Sequence, residues 1–560
     1  MSDGNGALPT VVTKRRRIKK KGTVVFPDSL FHELPESWCY VTVDECLDLG
    51  LIVDFVDGNH GGLYPRKADF GSVGYMFVTA KQIQNGEVDF DSAPRLPEAK
   101  AKELRKGWAT GGDVLLTHNA TVGRTARVPL DVGTFLLGTS ATYYRVDHEQ
   151  LDRDFLYFAF CAPQWQGQLE SIMEQTTRNQ VSIQKQAFFR IPLPPEAEQR
   201  RIVSKIESLQ ERSSRARRAL SEVGPLLEQF RQSVLRAAFS GRLTADWREK
   251  HPLSPAGGEG QGEGEKKGIE PATELLSRIR TERRHRWEQS ELAKYEAKGK
   301  QPPKNWQDKY KEPEPVDGGL PDLPEGWLWV SLDEITDKIT DGEHITPKTT
   351  DSGVPLLSAK DVRDEEVLLN DAKYVTPQDA DKFWVRCRPE VGDLLIVSRG
   401  ATVGRSTIVE TDEPFCLMGS VILAKLLAKE TSEYVGHFMD SEFALKNLRS
   451  ASGASAQQAI YIRDVRSCPI PLPPATEIET ITHALRESKE IGFSVGDVVA
   501  ESESSLTQLD QSILAKAFRG ELVPQDPRDE PASELLARIR TTREAEAATK
   551  KKPANRNAKS

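Results

Sequence analysis

One order of short motifs occurs twice in this chain, and this duplication constrains the fold more than any other feature of the sequence. LPESW at residues 34–38 returns as LPEGW at residues 323–327. IPLPP at residues 191–195 returns 279 residues later, at residues 470–474. Solenoid repeats have much shorter periods, so a repeat of this length indicates duplicated domains. The sequence therefore predicts two tandem domains that share a scaffold.

Each copy continues into a long heptad pattern, and the two patterns keep the same register. The core positions step by four and three residues from residue 202 to 237 and again from residue 481 to 516. This spacing places one apolar seam along a helix, and the seam needs a partner to bury it. We therefore predict that the two helices can bury each other. The predicted seam residues are Ile202, Ile206, Leu209, Leu220, Leu227, Phe230, Val234, Ile481, Leu485, Val499, Leu506, Leu509 and Ile513.

Short apolar strands broken by Gly and Asp alternate with helical segments inside each copy, which indicates an α+β fold. The double prolines at residues 194–195 and 473–474 suit the first turn of the helix that follows. The predicted organisation is a basic, disordered N-terminal arm (1–33), domain 1 (34–195), a central helical spacer (196–250), a linker with an amphipathic helix (251–322), domain 2 (323–474), a C-terminal helical spacer (475–545) and a basic tail (546–560).

Two near-identical decapeptides follow the heptad patterns, PATELLSRIR at residues 271–280 and PASELLARIR at residues 531–540. Both predict a short helix with Leu and Ile on one face. The sequence leaves two outcomes open for each helix, docking on a partner protein or folding back on its own long helix.

The charge of the chain is distributed locally. The net charge is −8, with 29% charged residues, which excludes a uniformly basic coat for nucleic acid. Basic clusters occur in KRRRIKKK at residues 14–21 and in the tail from Lys550 to Lys559. Both clusters fit either disordered, solvated charge or contact with DNA.

The compartment is predicted from the cysteines and the apolar runs. The six cysteines show no CxxC pattern and no regular pairing, which is typical of reduced thiols in a cytoplasm. No apolar run approaches the length of a membrane span, and the chain starts with polar and basic residues where a secretory signal would be apolar. We expect a cytoplasmic protein without a membrane partner.

Catalytic motifs are missing from the sequence. We find no GxxxxGK[ST] phosphate loop and no glycine-rich cofactor fingerprint. The nine histidines show no metal-ligand spacing with one another or with cysteines. The sequence therefore predicts no catalytic residues and no metal site, and it favours a binding or organising role over an enzyme.

Taken together, these motifs resemble the specificity (S) subunits of Type I restriction-modification enzymes. The resemblance rests on IPLPP running into Glu198-Gln199, on QSVL and AFSGRL at residues 232–243 with their copies at residues 511–522, and on the ELLxRIR segments. It implies two target-recognition domains held apart by an antiparallel coiled coil. Each domain would read one half of a split, asymmetric site in double-stranded DNA.

The resemblance also implies partners for the chain. The helices would bind methyltransferase (M) subunits, two of them, and restriction (R) subunits would join the complex in the cytoplasm of a prokaryote, for phage defence. Methylation, translocation and cutting would belong to the M and R subunits. No cofactor is therefore expected in this chain, and S-adenosylmethionine, ATP and Mg²⁺ are expected in the partner subunits. Departures from the family pattern are Glu477-Ile478 in place of the Glu-Gln pair and the insertion that includes residues 283–311.

Polar loops with Gly and basic or amide side chains are the candidates for DNA contact, because bases and phosphates need hydrogen-bond donors on an exposed backbone. Contact with DNA and an ordinary surface loop remain open for each, and a shared structural turn is favoured for the Thr-Val-Gly part of residues 121–123 and 402–404. The candidates are Asn59, His60, Tyr64, Arg66, Lys67, Lys81, His118, Asn119, Arg124, His344, Lys348, Lys360, Arg399 and Arg405.

Two other classes of function compete with the specificity subunit. A coiled-coil scaffold or adaptor would use the same helices without reading DNA, and it would lack salt-sensitive, sequence-selective duplex binding. A self-contained enzyme with an unfamiliar active site would transfer methyl groups or cut DNA as an isolated chain.

Overall fold

The computed structural model describes residues 24–62, 64–174, 179–254, 269–316, 318–364, 366–451 and 459–550. Its residues cluster into two compact units. Unit 1 contains the described residues of Met1–Leu220 and Ala500–Ser560, and unit 2 contains those of Ser221–Val499. Unit 1 is therefore assembled from two separate stretches of sequence, whereas the predicted domains were continuous.

The long heptad patterns form the two longest helices of the described residues, and shorter helices surround them in sequence. In chain order the α-helices are α1 (Val43–Leu49), α2 (Glu98–Ala101), α3 (Arg153–Cys161), α4 (Pro163–Glu174), α5 (Ile183–Gln186), α6 (Glu196–Phe239), α7 (Ala245–Lys250), α8 (Ala272–Ala297), α9 (Pro377–Arg386), α10 (Ser432–Met439), α11 (Glu442–Ala451), α12 (Ile462–Arg466), α13 (Ala475–Ala517) and α14 (Ala532–Lys550).

Domain 1 contains three small sheets and a short hairpin. An antiparallel sheet has the order β2-β11-β8-β9, a mixed sheet has the order β6-β3-β10-β7, β1 pairs with β12, and β4 pairs with β5. The strands are β1 (Cys39–Thr42), β2 (Ile52–Asp57), β3 (Tyr75–Val78), β4 (Ile83–Gln84), β5 (Glu87–Val88), β6 (Arg95–Leu96), β7 (Trp108–Ala109), β8 (Val114–Thr117), β9 (Thr125–Arg127), β10 (Phe135–Leu137), β11 (Ala141–Val146) and β12 (Arg190–Leu193).

Domain 2 repeats the four-stranded antiparallel sheet strand for strand, and its mixed sheet has three strands instead of four. Its antiparallel sheet has the order β14-β20-β17-β18, its mixed sheet the order β16-β15-β19, and β13 pairs with β21. The strands are β13 (Leu328–Ser331), β14 (Thr336–Asp341), β15 (Val354–Leu357), β16 (Lys373–Val375), β17 (Leu394–Val397), β18 (Ser406–Ile408), β19 (Cys416–Leu417), β20 (Val421–Leu426) and β21 (Pro469–Leu472). The predicted fold class, two tandem α+β domains with long paired helices, is confirmed.

A buried ion pair lies at the same place in both antiparallel sheets. Arg145 on β11 donates to both carboxylate oxygens of Asp113 over 2.8 Å, and Lys425 on β20 donates to Asp393 over 2.8 Å. Both aspartates are fully buried directly before β8 and β17. A buried carboxylate needs such a partner, since leaving it unpaired would cost several kcal/mol.

The long helices pair in antiparallel orientation within each unit. In unit 1, Ile202 and Ile206 near the start of α6 share a buried cluster with Ile513 near the end of α13. In unit 2, Leu235 near the end of α6 shares one with Leu485 near the start of α13. The helix α6 continues through Pro225.

The prediction is wrong for two seam residues, which are exposed instead of buried. Phe230 and Leu509 are 44% and 50% exposed. Phe230 faces a cavity that Gly492 of α13 also lines, so no side chain stands opposite to cover it. Beside Leu509, Asp510 takes the inner position and pairs with Arg217 over 2.7 Å. Of the other seam residues, Ile202, Ile206, Ile481, Leu485 and Ile513 are buried, and Leu209, Leu220, Leu227, Val234, Val499 and Leu506 are partly buried.

The two amphipathic decapeptides dock on the globular domain of their own unit. Leu275 and Ile279 of α8 lie in the core of unit 2, and Leu535 and Ile539 of α14 lie in the core of unit 1. Each helix begins with a hydrogen bond to the repeated LPExW loop before β13 or β1. The Ala272 amide donates to the Gly326 carbonyl and the Ala532 amide to the Ser37 carbonyl, both over 2.9 Å. Burying each Leu or Ile contributes about 1.5–3 kcal/mol.

The N-terminal arm departs from its prediction. Phe26 is buried, and its ring packs edge to face on that of Phe189 with the ring centres 5.3 Å apart. The side chain of Leu30 packs against Gly167 of α4. Residues 24–33 therefore pack on domain 1, because their aromatic and aliphatic side chains find an apolar surface there. The basic cluster at residues 14–21 and residues 551–560 of the basic tail lie outside the described residues.

Candidate nucleic-acid interface

A turn between β10 and β11 gathers the candidate loops of domain 1. The Ser140 hydroxyl accepts a hydrogen bond from the Ala80 amide over 2.8 Å, and the Ser140 carbonyl accepts one from the His118 amide over 2.9 Å. The Gly58 and Asn59 amides bond on either side of the turn, to the carbonyls of residues 141 and 137. The loops after β2, β3 and β8 therefore meet at one place.

The same turn exists in domain 2. The Ser420 hydroxyl accepts from the Ala359 amide over 3.1 Å, and the Ser420 carbonyl accepts from the Ser398 amide over 2.9 Å. The Gly342 and Glu343 amides donate to the carbonyls of residues 421 and 417 over 3.2 and 2.8 Å, as Gly58 and Asn59 do in domain 1. Backbone hydrogen bonds of this kind fix the loops on the sheet, so the side chains they carry are presented on a rigid frame. We name the turn of residues 138–140 and the turn of residues 418–420 the hub turns.

The loop after β2 contributes side chains of two kinds. Asn59 is buried and its side-chain Nδ2 donates to the Leu137 carbonyl over 3.2 Å, so the side chain holds the loop in place instead of facing solvent. Tyr64 is half-buried against Phe77, and burial raises the pKa of its phenol. The side chains of Arg66 and Lys67 are exposed. Of these four candidates, only the two cations are available to a phosphate.

A histidine paired with an aspartate and a cation marks this loop in both domains. His60 lies 3.4 Å from Asp57 at the end of β2, and Lys106 bonds to that aspartate over 2.6 Å. His344 lies 2.9 Å from Asp341 at the end of β14.

The cation beside Asp341 is Arg386. Lys106 precedes β7, whereas Arg386 ends α9, so the two domains place a cation at the same point from different elements. Sequence reasoning missed both cations, because neither lies near its aspartate in the chain. Both histidines remain about half exposed, at 59% and 46% of the side chain, and can donate to an added acceptor.

The loop after β8 separates a buried histidine from exposed groups. His118 is buried, its Nδ1 lies 2.8 Å from the Thr142 hydroxyl, and burial lowers its pKa to about 4. A neutral, buried imidazole supports the loop and does not offer a positive charge to DNA. Asn119 is partly exposed and Arg124 is exposed, with Nη1 3.4 Å from the Ile83 carbonyl.

The Thr-Val-Gly segments form the structural turn that the sequence favoured. Gly123 and Gly404 have φ of 95° and 91°, a left-handed conformation that suits glycine. Their amides close the β8–β9 and β17–β18 hairpins with hydrogen bonds of 2.9 Å. The repeat of this motif therefore reflects a shared turn, and the neighbouring side chains are free to differ.

The remaining candidates differ in how firmly they are held. Arg399 and Lys348 are exposed. Arg405 pairs with Asp364 over 2.7 Å, and Lys360 pairs with Asp361 over 2.9 Å. Lys81, the counterpart of Lys360, is exposed. Paired cations must give up their carboxylates to bind phosphate, so the unpaired ones are the stronger candidates in these residues.

The hub turns themselves were absent from the sequence candidates. A signal was available, because Ser140 and Ser420 both stand directly before a strand and lie 280 residues apart. This interval nearly equals the repeat of the other motifs. A partly buried hydroxyl that accepts a hydrogen bond from a backbone amide distant in sequence leaves no local pattern, which explains the omission.

In the part of the chain that the structure describes, no group of three or more His, Cys, Asp and Glu side chains could hold a metal ion. None of the helices in the described ranges combines the length and apolar character needed to cross a membrane.

Comparison with known proteins agrees with this architecture. Residues 55–221 match the family described as the Type I restriction modification DNA specificity domain. The chain is 24% identical over 433 residues to the Type I restriction enzyme EcoBI specificity subunit of Escherichia coli, covering 73% of this chain and 76% of that protein. It is 21% identical over 501 residues to the EcoKI specificity subunit of Escherichia coli strain K12, covering 84% and 88%.

A solved structure shares the fold. One chain from a study of complex assembly and conformational transition of the type I R-M system matches with a TM-score of 0.53 and 21% identity, covering 88% of this chain and all of that one. Within the duplicated α+β scaffold, residues 55–221 are thus similar to the Type I restriction modification DNA specificity domain. The predicted resemblance to specificity subunits of Type I restriction-modification systems is confirmed.

Proposed function

We propose that this chain is the DNA sequence-recognition subunit of a Type I restriction-modification complex. Domain 1 reads one half of a bipartite site in double-stranded DNA, and domain 2 reads the other half. The long paired helices fix the gap between the two half-sites and provide the surface on which methyltransferase subunits assemble.

The observation that carries this proposal is that the two domains hold their loops with the same backbone hydrogen bonds but carry different side chains on those loops. Both hub turns hold three loops by the same hydrogen bonds, yet the partly exposed Asn119 of domain 1 stands where domain 2 has the exposed Arg399. Base recognition depends on donors and acceptors at defined positions, so a constant frame with varied side chains suits two readers of different sequences. The half-sites are therefore expected to differ, which makes the full site asymmetric.

The chemistry belongs to the partners in this proposal. Methyl transfer is carried out by two methyltransferase subunits with S-adenosylmethionine, and ATP- and Mg²⁺-dependent cleavage is carried out by restriction subunits in the cytoplasm. The chain itself contributes binding and positioning, with the exposed cations around the hub turns contacting phosphates and anchoring the readers.

The test is to co-express the chain with its proposed methyltransferase partner and to map the methylated positions of genomic DNA. We expect methylation within a single split motif, with a fixed gap and two different half-sites. A chain that carries Ser140→Ala and Ser420→Ala, which loosen both hub turns, serves as the matched variant and should methylate the same motif less completely. A folded complex that methylates no defined motif would overturn the proposal.

A further inference from the structure

The second half of α8 extends beyond the core of unit 2. Ile279 is the last residue of this helix that is buried in the core. One and four residues further, Arg280 pairs with Glu334 over 2.6 Å, and Arg283 donates to the Thr336 carbonyl over 3.0 Å. These two arginines anchor the helix at the start of β14. The helix then continues to Ala297.

The chain after α8 folds back along the helix and is clasped by aromatic rings. The indole of Trp306 stacks on that of Trp287 with the ring centres 5.9 Å apart and 17° between the planes. Tyr310 meets the same indole at 5.3 Å and lies under the guanidinium of Arg284 at 5.4 Å. The Lys309 ammonium donates to the Tyr295 hydroxyl over 3.0 Å. We name residues 284–311 the clasped hairpin.

The clasped hairpin is basic in a chain whose net charge is −8. It contains eight Lys and Arg against four Asp and Glu. Its first cations are neutralised by neighbours on α8, since Arg284 pairs with Glu288 and Lys294 pairs with Glu291. In the described ranges no carboxylate lies within ion-pair distance of its other lysines. These exposed lysines are Lys298, Lys300, Lys304, Lys309 and Lys311.

We propose that the clasped hairpin is a sequence-independent contact to the phosphates of duplex DNA. The inference rests on the proposed function, because it adds a second kind of DNA contact to the complex. The rings of Trp287, Trp306 and Tyr310 are occupied by one another, so they are not free to stack on bases. What the hairpin presents is a set of ammonium groups on a fixed frame, which bind phosphate as point charges without reading sequence.

An acidic protein surface is the alternative partner, and the composition of the hairpin disfavours it. Protein interfaces are built around apolar or aromatic anchors and are depleted in lysine. On the outer half of α8, Leu292 is 43% exposed and is isolated among charged residues. Five lysines without a neighbouring apolar patch match the requirements of a polyanion better than those of a protein.

The test uses the full chain in complex with its methyltransferase. The five lysines are replaced together by glutamine, and in a matched variant all five are replaced by arginine. Binding is measured with a duplex that carries the methylated motif and with a duplex of equal length that lacks it, at salt concentrations between about 50 and 200 mM. The glutamine variant should bind both duplexes at least tenfold more weakly, and its salt dependence should be shallower by about three to five released ions. The arginine variant should bind as the unchanged chain does.

The outcomes separate this inference from the proposed function. If the glutamine variant methylates the same motif but binds both duplexes with unchanged affinity and salt slope, the hairpin does not contact DNA. If it loses methyltransferase during purification and keeps its DNA affinity per complex, the hairpin binds the protein partner, and the inference is also overturned. If the unchanged complex methylates no motif, the proposed function fails, while the comparison of salt slopes still decides the role of the hairpin.

Discussion

The indole Nε1 of Trp38 donates a hydrogen bond to the carboxylate of Glu198 over 3.0 Å and thereby ties the loop before β1 to the first turn of α6. Domain 2 repeats the bond between Trp327 and Glu477 over 2.8 Å. The second oxygen of each carboxylate is bound by a residue that follows the other long helix. Gln525, after α13, donates to Glu198 in unit 1, and Arg248, after α6, pairs with Glu477 in unit 2. The repeated Trp and Glu thus form the same buried hydrogen-bonded clamp in each unit.

Removing the indole donor should destabilise the clamp of unit 2. Trp327→Phe keeps most of the ring volume but leaves one oxygen of the buried Glu477 without its donor. An unsatisfied buried acceptor costs about 1–3 kcal/mol, and urea unfolding of the full chain measures the loss. Trp329→Phe is the control, because the Trp329 indole donates over 2.9 Å to the exposed carbonyl of Pro321, which water can satisfy after the substitution. Equal losses in the two variants would show that burial of the acceptor does not set the cost.

The buried His118 predicts a dependence of stability on pH. Its pKa of about 4 in the folded protein lies below the value of 6.5 that the free side chain has. Between these pKa values His118 is protonated in the unfolded chain and neutral in the folded chain. The free energy of unfolding therefore has its full value above pH 6.5 and falls as the pH drops towards 4. The full loss amounts to roughly 3 kcal/mol.

His118→Gln should flatten this pH dependence, which urea midpoints at pH 7 and pH 5 measure. His483→Gln is the control, because the imidazole of His483 is 68% exposed. The same decline between pH 7 and pH 5 in the His118 variant would assign the effect to another group.

Substitutions around one hub turn should change one half-site only. Arg399→Gln and Lys348→Gln remove exposed cations of domain 2 and leave the hydrogen bonds of both hub turns intact. A lost phosphate or base contact costs about 1–3 kcal/mol, so methylation should weaken or relax at the half-site that domain 2 reads. Methylation mapping of both half-sites measures the effect, with Lys446→Gln on α11 as an exposed control. Equal relaxation of both half-sites would contradict separate readers.

The polar contact between the long helices in unit 1 should be replaceable by apolar residues. Asp510→Ala removes the partner of Arg217, whose side chain is 38% exposed, so the interaction is screened by solvent and its loss should cost about 1 kcal/mol. The double variant Arg217→Met with Asp510→Leu should recover or exceed the original stability, because an apolar pair avoids the desolvation of two charges. Urea midpoints of the three chains decide this. A double variant less stable than Asp510→Ala would show that the pair is needed at this position.

The sequence predicted most of the fold because its strongest signals are local. Heptad spacing predicted both long helices, and the double prolines marked their starts within one residue of Glu196 and Ala475. The left-handed turn at Gly123 was also favoured from its neighbours alone. Each of these features depends on residues that are close in the chain.

The features that sequence reasoning missed depend on distant residues. Arg543 of α14 donates to the Asp48 carbonyl at the end of α1, 495 residues away. The pairing of Lys106 with Asp57 spans 49 residues, and its counterpart in domain 2 uses a different element. Asn59 and His118 were predicted as donors to DNA by residue type, yet tertiary packing buries both. Burial of a polar side chain is decided by the loops that cover it, and those loops leave no trace in its own neighbourhood.

The division of the chain into units gives the protein an order of assembly. Unit 2 is continuous, from Ser221 to Val499, whereas the core of unit 1 includes Ile513, Leu535 and Ile539. On the ribosome, domain 1 is made first, but its core is completed only by residues made after the whole of unit 2. Limited proteolysis of stalled nascent chains should therefore show unit 2 protected before domain 1. A chain cut short after Val499 would keep the whole of unit 2 but would lack Ile513, Leu535 and Ile539, so domain 2 could fold while the core that carries domain 1 stayed incomplete.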